Sequence, residues 1–322
     1  MPGSWGVAED AHTAVQVIPP REVPLGGLRA MTVRRTLPSR ERAFVGAWCF
    51  VDHYGPDDVA GPSGTGGMDV APHPHTGLAT VSWLFAGEVE HRDSAGVHEL
   101  VRPGELNLMT AGAGIAHSEV SAPGTTVLHG VQLWVVLPQA EADGPRDFQH
   151  YVPPVHEDDG VRTQVFIGAF DGEVSPVRTA TPLLGVELTL APGADRLWGA
   201  DEDFEHGVLV DAGEVELDGV RLRRGELGYR DVGPNSLRLK VIGDEPARVV
   251  LLGGEPFTEP VVMWWNFIGR SHEQIAAFRE QWQAAAERFG EVSGYVGEVD
   301  RIPAPALPNV RLRPRTRTGH QL

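Results

Sequence analysis

Cysteine is almost missing from this 322-residue chain; the one thiol is Cys49. A single cysteine excludes an intramolecular disulfide framework and fits a reducing compartment. It lies in the apolar run Phe44 to Val51, where a buried, inert thiol is the expected state. Basic charge is also scarce. Lys and Arg number 27 against 44 Asp and Glu, a formal net charge of −17. Phosphate binding needs a basic footprint, so nucleic acid is excluded as a partner. The basic cluster Arg311, Arg313, Arg315 and Arg317 falls in a Pro-rich end and reads as a solvated tail. No apolar run approaches the ~20 residues of a membrane helix. The opening MPGSWGVAED has neither the basic region nor the apolar core of a secretory signal. A soluble, cytoplasmic protein with no membrane partner is expected.

Glycine and proline, by contrast, are abundant: 39 and 26 residues, about a fifth of the chain. That usage suits many short strands joined by tight turns. Strand candidates run from Arg29 to Leu37, Ala43 to Asp52, Ala79 to Phe85, Val89 to His91, Val97 to Val101, Leu106 to Met109 and Val127 to Leu137. Their spacing, near ten residues, argues for an antiparallel sandwich or barrel. GPDDVAGPSGTGG, residues 55–67, reads as a loop. Ala86-Gly87-Glu88-Val89-Glu90 recurs letter for letter as Ala212-Gly213-Glu214-Val215-Glu216, and Arg102-Pro103-Gly104-Glu105-Leu106 is echoed by Arg224-Gly225-Glu226-Leu227. Two marks in the same order imply duplication. The expected fold is therefore all-β: two β-barrel domains followed by a C-terminal helix. The divisions are a lead-in over 1–20, a first domain over 21–145, a second over 146–295 and a Pro/Arg-rich tail over 296–322.

The helix is expected to start at Ser271, in the capping-box pattern Ser271-His272-Glu273-Gln274. Ile275, Phe278, Trp282, Ala285 and Phe289 form one apolar face, and Gly290 reads as its C′ residue. The aromatic MWWNF before it, Met263 to Phe267, is expected between the barrels, as core without a cofactor role.

Chemistry concentrates in Pro72-His73-Pro74-His75-Thr76-Gly77 and in His117-Ser118-Glu119, inside TAGAGIAHSE. In an extended chain, side chains two apart share a face, so His73 and His75 can aim at one point, and His117 and Glu119 likewise. Pro74 biases His73 towards extended geometry. Three imidazoles and a carboxylate suit a first-row divalent metal. With 13 histidines in the chain an HxH can arise by chance, so the surroundings must decide. Counting from the repeat marks, the second-domain positions matching His73, His75 and His117 are Gly199, Asp201 and Arg238; the second barrel has lost the ligands. Glu205-His206 reads as a surface or interface pair. His91 and His98 read as solvent-facing, with a supporting role at the metal as the alternative for His91. His129 is a candidate to orient a ligand, and His53 and Tyr54 are candidates for the mouth.

HPHTG, then GEVEHRDS, then PGELNLMTAGAGIAHSE resemble the pirin family of the cupin superfamily. REVPLGGLRAMTVRRTLPSR, GAWCFVDHYGP and WWNFIGRSHEQI are pirin-like too, so the resemblance covers most of the chain. It implies a bicupin (jelly-roll) fold with metal in the N-terminal barrel only, held by His73, His75, His117 and Glu119. The metal it implies is Fe(II), with Mn, Ni, Cu, Zn and Co left open. One departure stands out: many pirins carry a glutamate where this chain has Ala79, a change expected in the pocket wall. The resemblance further implies a quercetinase-like dioxygenase, with a flavonol or related enol or catechol and O2 as small-molecule partners. In that chemistry Glu119 would also accept a substrate hydroxyl proton. The alternative it implies is an iron-dependent, redox-sensing regulator binding a protein partner through the acidic surface, the GPSGTGG loop or the arginine tail.

Overall fold

A computed structural model describes residues 15–24, 31–60 and 67–318 of the chain. The two repeat marks are turns. Gly87 at φ +83 and Gly213 at φ +70 take the left-handed conformation, and a Cβ on Gly87 would meet the Val127 carbonyl oxygen at 2.3 Å. Only glycine fits such a turn without strain.

Either side of these turns the same architecture appears twice. In the N-terminal unit one sheet runs, strand by strand, Asp147–Tyr151, Leu106–Thr110, Leu78–Ala86, Val127–Val136, Trp48–Asp58, Thr32–Leu37 and Arg21–Pro24. A second sheet orders Asp69–His75, Ile115–Ser121, Val89–Asp93 and His98–Val101. The C-terminal unit repeats this place for place. Its large sheet is Gln16–Ile18, Leu227–Arg230, Glu205–Ala212, Ala247–Gly254, Leu183–Leu190, Val161–Ile167 and His156–Asp158. Its small sheet is Asp195–Gly199, Ser236–Val241, Val215–Leu217 and Val220–Leu222. All these pairings are antiparallel. Each unit is thus a jelly roll of two sheets rather than one closed barrel.

Edge strands cross over in sequence. Gln16–Ile18, within the stretch read as a lead-in, pairs with Leu227–Arg230 of the C-terminal sheet. Asp147–Tyr151, which follows the last long strand of the N-terminal unit, pairs back onto Leu106–Thr110. The first strand candidate is observed as Thr32–Leu37; residues 25–30, and 61–66 of the GPSGTGG loop, lie outside the described residues.

The two large sheets pack together, so their central strands are buried on both faces and read as near-continuous apolar runs. One cluster spans both units, with Trp48, Trp83, Val131 and Leu133 on one side and Phe166, Leu209, Leu227 and Leu252 on the other. Trp83 stacks on Phe166 at 4.6 Å and donates its indole N–H to Glu187 at 2.7 Å. Trp48 donates to the carbonyls of Leu184 and Gly253. Cys49 is buried in the same core, and burial pushes its thiol above the ordinary range.

The α-helix spans His272–Gln283, and the Ser271 hydroxyl accepts from the Gln274 N–H. Gln274 Oε1 reaches back to the Arg270 N–H at 2.6 Å, one residue earlier than a capping box requires. The helix ends before the expected Gly290. Ala285 is left-handed at φ +53, with Ala285 N–H on the Trp282 carbonyl and Ala286 N–H on that of Gln281. That is a Schellman end with alanine where glycine is usual. Phe289 still reaches the helix core through the turn that follows.

The arginine-rich end is docked in part: Arg315 and Arg317 are held against the fold, while Arg311 and Arg313 are exposed. The Val261 and Arg315 backbones hydrogen-bond to each other, Arg317 pairs with buried Glu205 at 2.8 Å, and Ile302 donates to the Pro72 carbonyl. No helix among the described residues is long and apolar enough to cross a membrane.

Candidate metal centre

Asp69–His75 pairs with Ile115–Ser121 so that His73 stands opposite His117, and a register shift separates His117 from Glu119. One ring nitrogen from each of His73, His75 and His117 lies within 4.8 Å of the others. His73 Nδ1 is 3.0 Å from the Ala71 carbonyl oxygen, and His75 Nδ1 is 3.2 Å from that of Asn266. A carbonyl can only accept, so both Nδ1 atoms carry the proton and both Nε2 atoms present lone pairs. His75 Nε2 approaches His117 Nε2 to 3.0 Å. The His73 and His75 lone pairs and a His117 ring nitrogen together form a set that a bound cation can satisfy. Backbone carbonyls holding the far nitrogens are the usual support of metal-ligating histidines.

Burial favours the metal-ready protonation state. It drives the His73 pKa down to about 4, and it drives His75 and His117 well below the ordinary imidazole value, with neighbouring imidazoles adding to the effect. Neutral imidazoles need lose no proton to bind a metal. Burial also raises the Glu119 pKa, opposed by His91, Ser82 and Gln132. The Ser82 hydroxyl lies 3.3 Å from Glu119 Oε1 and 2.9 Å from Gln132 Oε1, with one proton to donate between them.

Glu119 faces the same cavity as His73 and His75, about 360 Å3 in volume, with Gln132, Trp134 and Trp265 also in its wall. Phe50 stacks on Trp134 at 4.1 Å, and the Arg35 guanidinium lies 4.1 Å over Phe50. Two hydrogen bonds to Asp52, of 2.6 and 2.7 Å, hold Arg35 there. Phe50 is thus held between Arg35 and Trp134, and all three line the cavity beside the histidines.

Several residues fall elsewhere than the sequence suggests. His91 is buried rather than solvent-facing: it sits opposite Glu119 in the register, with Nδ1 3.4 Å from His117 Nδ1, and forms a second group with His117 and Glu119. The alternation of Val89, His91 and Asp93 on one buried face was the available signal. His98 is exposed and pairs with Glu90. His129 and His53 turn away from the metal site. Both donate from Nε2 to Asp211 Oδ1, at 2.5 and 2.7 Å, across the boundary between the units. Arg248 holds Asp211 Oδ2 at 2.6 Å, and Arg34 Nε faces His53 Nδ1 at 3.3 Å. Each polar atom there has a partner and two guanidiniums face the group, so it does not fit a metal. Tyr54 packs in an apolar cluster, away from the mouth.

Ala79 does not line the metal cavity; it belongs to the face packed between the units, so the departure leaves the cavity wall unchanged. Of MWWNF, Met263 packs against the cluster shared by the units, whereas Trp264, Trp265 and Phe267 belong to the helix cluster. Trp265 and Asn266 cap the metal cavity, and the Asn266 carbonyl supports His75. Trp265 takes a left-handed φ of +53 in the turn that makes this possible, a conformation uncommon for a bulky residue. Glu205 lies at the interface between the units, accepting from the Gly46 N–H and the Tyr229 hydroxyl. His206, its neighbour on the strand, points the other way, into the C-terminal unit.

Two duplicated jelly rolls, one carrying a convergent histidine cluster, define a bicupin whose N-terminal unit gathers side chains that could hold a divalent metal. The chain belongs to the pirin family: residues 30–135 match Pirin and residues 185–290 the Pirin C-terminal cupin domain. It is 40% identical over 295 residues to a Pseudomonas aeruginosa protein named "Putative quercetin 2,3-dioxygenase", covering 91% of each chain. A "Pirin-like protein" of Caulobacter vibrioides is 35% identical over 81% of this chain and 91% of its own. Among solved structures, a quercetin 2,3-dioxygenase from Acinetobacter baumannii superimposes with a TM-score of 0.85 at 38% identity, over 92% of this chain and 97% of that one.

Proposed function

We propose that this pirin is an Fe(II)-dependent dioxygenase of the quercetin 2,3-dioxygenase type, acting with O2 on a flavonol or a related enol or catechol. His73, His75, His117 and Glu119 would hold the metal. The observation that carries the proposal is the convergence of carbonyl-anchored imidazoles on the cavity that Glu119 faces. Relatives named as quercetin dioxygenases supply the reaction class. Fe(II), when bound, supplies Lewis acidity towards an enolic oxygen and electrons for dioxygen chemistry.

The remaining work falls to the chain's own side chains. Phe50 and Trp134 supply aromatic surface in the cavity wall for a planar substrate. Arg35 stands at the edge of that wall, within reach of a substrate's outer oxygen. Glu119 takes the proton of the substrate hydroxyl beside it, with Ser82 steadying the carboxylate. Trp265 limits the access of water from above.

Oxygen consumption by the Fe(II)-loaded protein with a flavonol and catechol panel tests this. Turnover that disappears in His73→Ala is expected. No turnover by fully loaded protein, with capture of a protein partner that follows the metal's redox state, would instead establish the iron-dependent redox-sensing regulator.

A further inference from the structure

One residue in the wall of the metal cavity comes from neither jelly roll. Ile302 belongs to the Pro/Arg-rich end of the chain, yet it lines this cavity together with Val70, His73 and Trp265. It also packs against the apolar cluster that contains Val70 and Met68. At about 360 Å3 the cavity stands near the lower end of small-molecule sites. In so small a space one branched side chain in the wall takes up a meaningful share of the room.

Ile302 is held at both of its backbone polar atoms. Its N–H donates to the Pro72 carbonyl at 2.8 Å, and its own carbonyl accepts from the Trp282 indole N–H at 2.8 Å. Pro72 immediately precedes His73 on the ligand strand, and Trp282 is a buried residue of the helix. The neighbours of Ile302 are fixed as well. Arg301 donates to the Trp282 and Gln283 carbonyls, and its guanidinium lies 4.9 Å from the centre of the Trp282 ring. The Ala304 N–H donates to Gln283 Oε1 at 2.9 Å, and Arg279 donates to the Pro305 carbonyl. Residues 301–305 thus form a strap tied to the helix on one side and to the ligand strand on the other. Ile302 is the point at which that strap enters the cavity wall.

We infer that Ile302 is a specificity-determining residue: its side chain sets how bulky a substituent can accompany a phenolic ligand into the metal cavity. The inference rests on the reading of this cavity as the substrate site. Ile302 has no polar side-chain atom, so it selects by bulk alone, while Arg35, Gln132 and Asn266 supply the polar part of the wall. Its backbone cannot retreat before a larger ligand without giving up two hydrogen bonds. A wall that cannot yield discriminates by size, because overfilling a packed site forces strain on its lining.

Isothermal titration of the nickel-loaded, full-length protein with catechol and with tert-butylcatechol tests this, read as the affinity for the bulkier ligand relative to catechol. Ile302→Trp should lower that ratio about tenfold, the scale of overpacking a filled site. Ile302→Ala should raise it about fourfold, the scale of one further CH2 group accommodated. Trp282→Phe keeps an aromatic ring but removes the N–H that holds Ile302, and should raise the ratio too. Val310→Trp, at an exposed position of the same end of the chain, should leave it unchanged. A ratio that stays fixed, or moves the same way, in Ile302→Trp and Ile302→Ala would overturn the inference, as would binding of neither catechol to the unmodified protein. If Ile302→Trp fails to fold, a fixed ratio in both Ile302→Ala and Trp282→Phe overturns it. Opposite shifts in a protein whose iron form consumes no oxygen would uphold the role of Ile302 and remove the dioxygenase reading.

Discussion

His75 serves two partners at once: Nδ1 is committed to the Asn266 carbonyl, and Nε2 therefore faces His117 as a lone pair. Its removal should abolish tight metal binding. His75→Ala is expected to lose at least ten- to hundredfold in divalent-metal affinity, the range already seen when only a supporting contact is lost; metal analysis after dialysis checks this. His206 makes a different kind of prediction. Its folded pKa of about 4 lies below the ordinary 6.5. Between those values the unfolded chain binds a proton that the native state refuses, so stability is full above pH 6.5 and is lost as pH falls towards 4. The loss is ~3 kcal/mol. His206→Phe should flatten that part of the stability–pH curve, measured by denaturant melts of unmodified and variant protein.

Among the elements, the helix shows how a pattern can continue after the structure has changed. Phe289 keeps the apolar spacing and reaches the core, yet the chain leaves the helix at Ala284. Left-handed alanine costs roughly 1–2 kcal/mol, so Ala285→Gly, at an exposed site, should raise stability by ~1 kcal/mol in urea melts. MWWNF teaches a related lesson. Its aromatics were legible as core, but its attachment to His75 was not, because a backbone carbonyl leaves no mark on residue identity. The strand Val89–Asp93 did carry a mark: alternation placed His91 on a buried face. Its approach to His117 came only from the pairing register.

For the molecule as a whole, the join between the units is both apolar and polar. Trp83→Ala should cost ~3–5 kcal/mol through the cavity it leaves, with Glu187 losing its indole partner as well. Asp211 is the polar counterpart. Burial opposes its charge, but hydrogen bonds from His129 and His53, and Arg248 beside it, hold its carboxyl below the usual range. Asp211→Ala should destabilise by ~3–5 kcal/mol, because breaking a buried ionic group leaves its partners uncompensated. Metal content should not change, since the group stands apart from the His73 cluster; calorimetry and metal analysis on one sample separate the two effects.

Amino-acid identity alone determined the β class, the duplication and the clustering of His73, His75, His117 and Glu119 in two motifs. These are local properties: strand period, turn glycine and ligand spacing act over a few residues. Tertiary structure decided what the remaining polar groups do. His53 and His129 look in sequence like spare site residues, and with Asp211 they became part of the hydrogen-bonded join between the units, where Glu205 also lies. His206, one residue from Glu205, points into the C-terminal unit instead, because successive side chains on a strand point to opposite faces. Which face meets the other unit depends on how two sheets pack across more than a hundred residues of chain, and no short-range pattern records it.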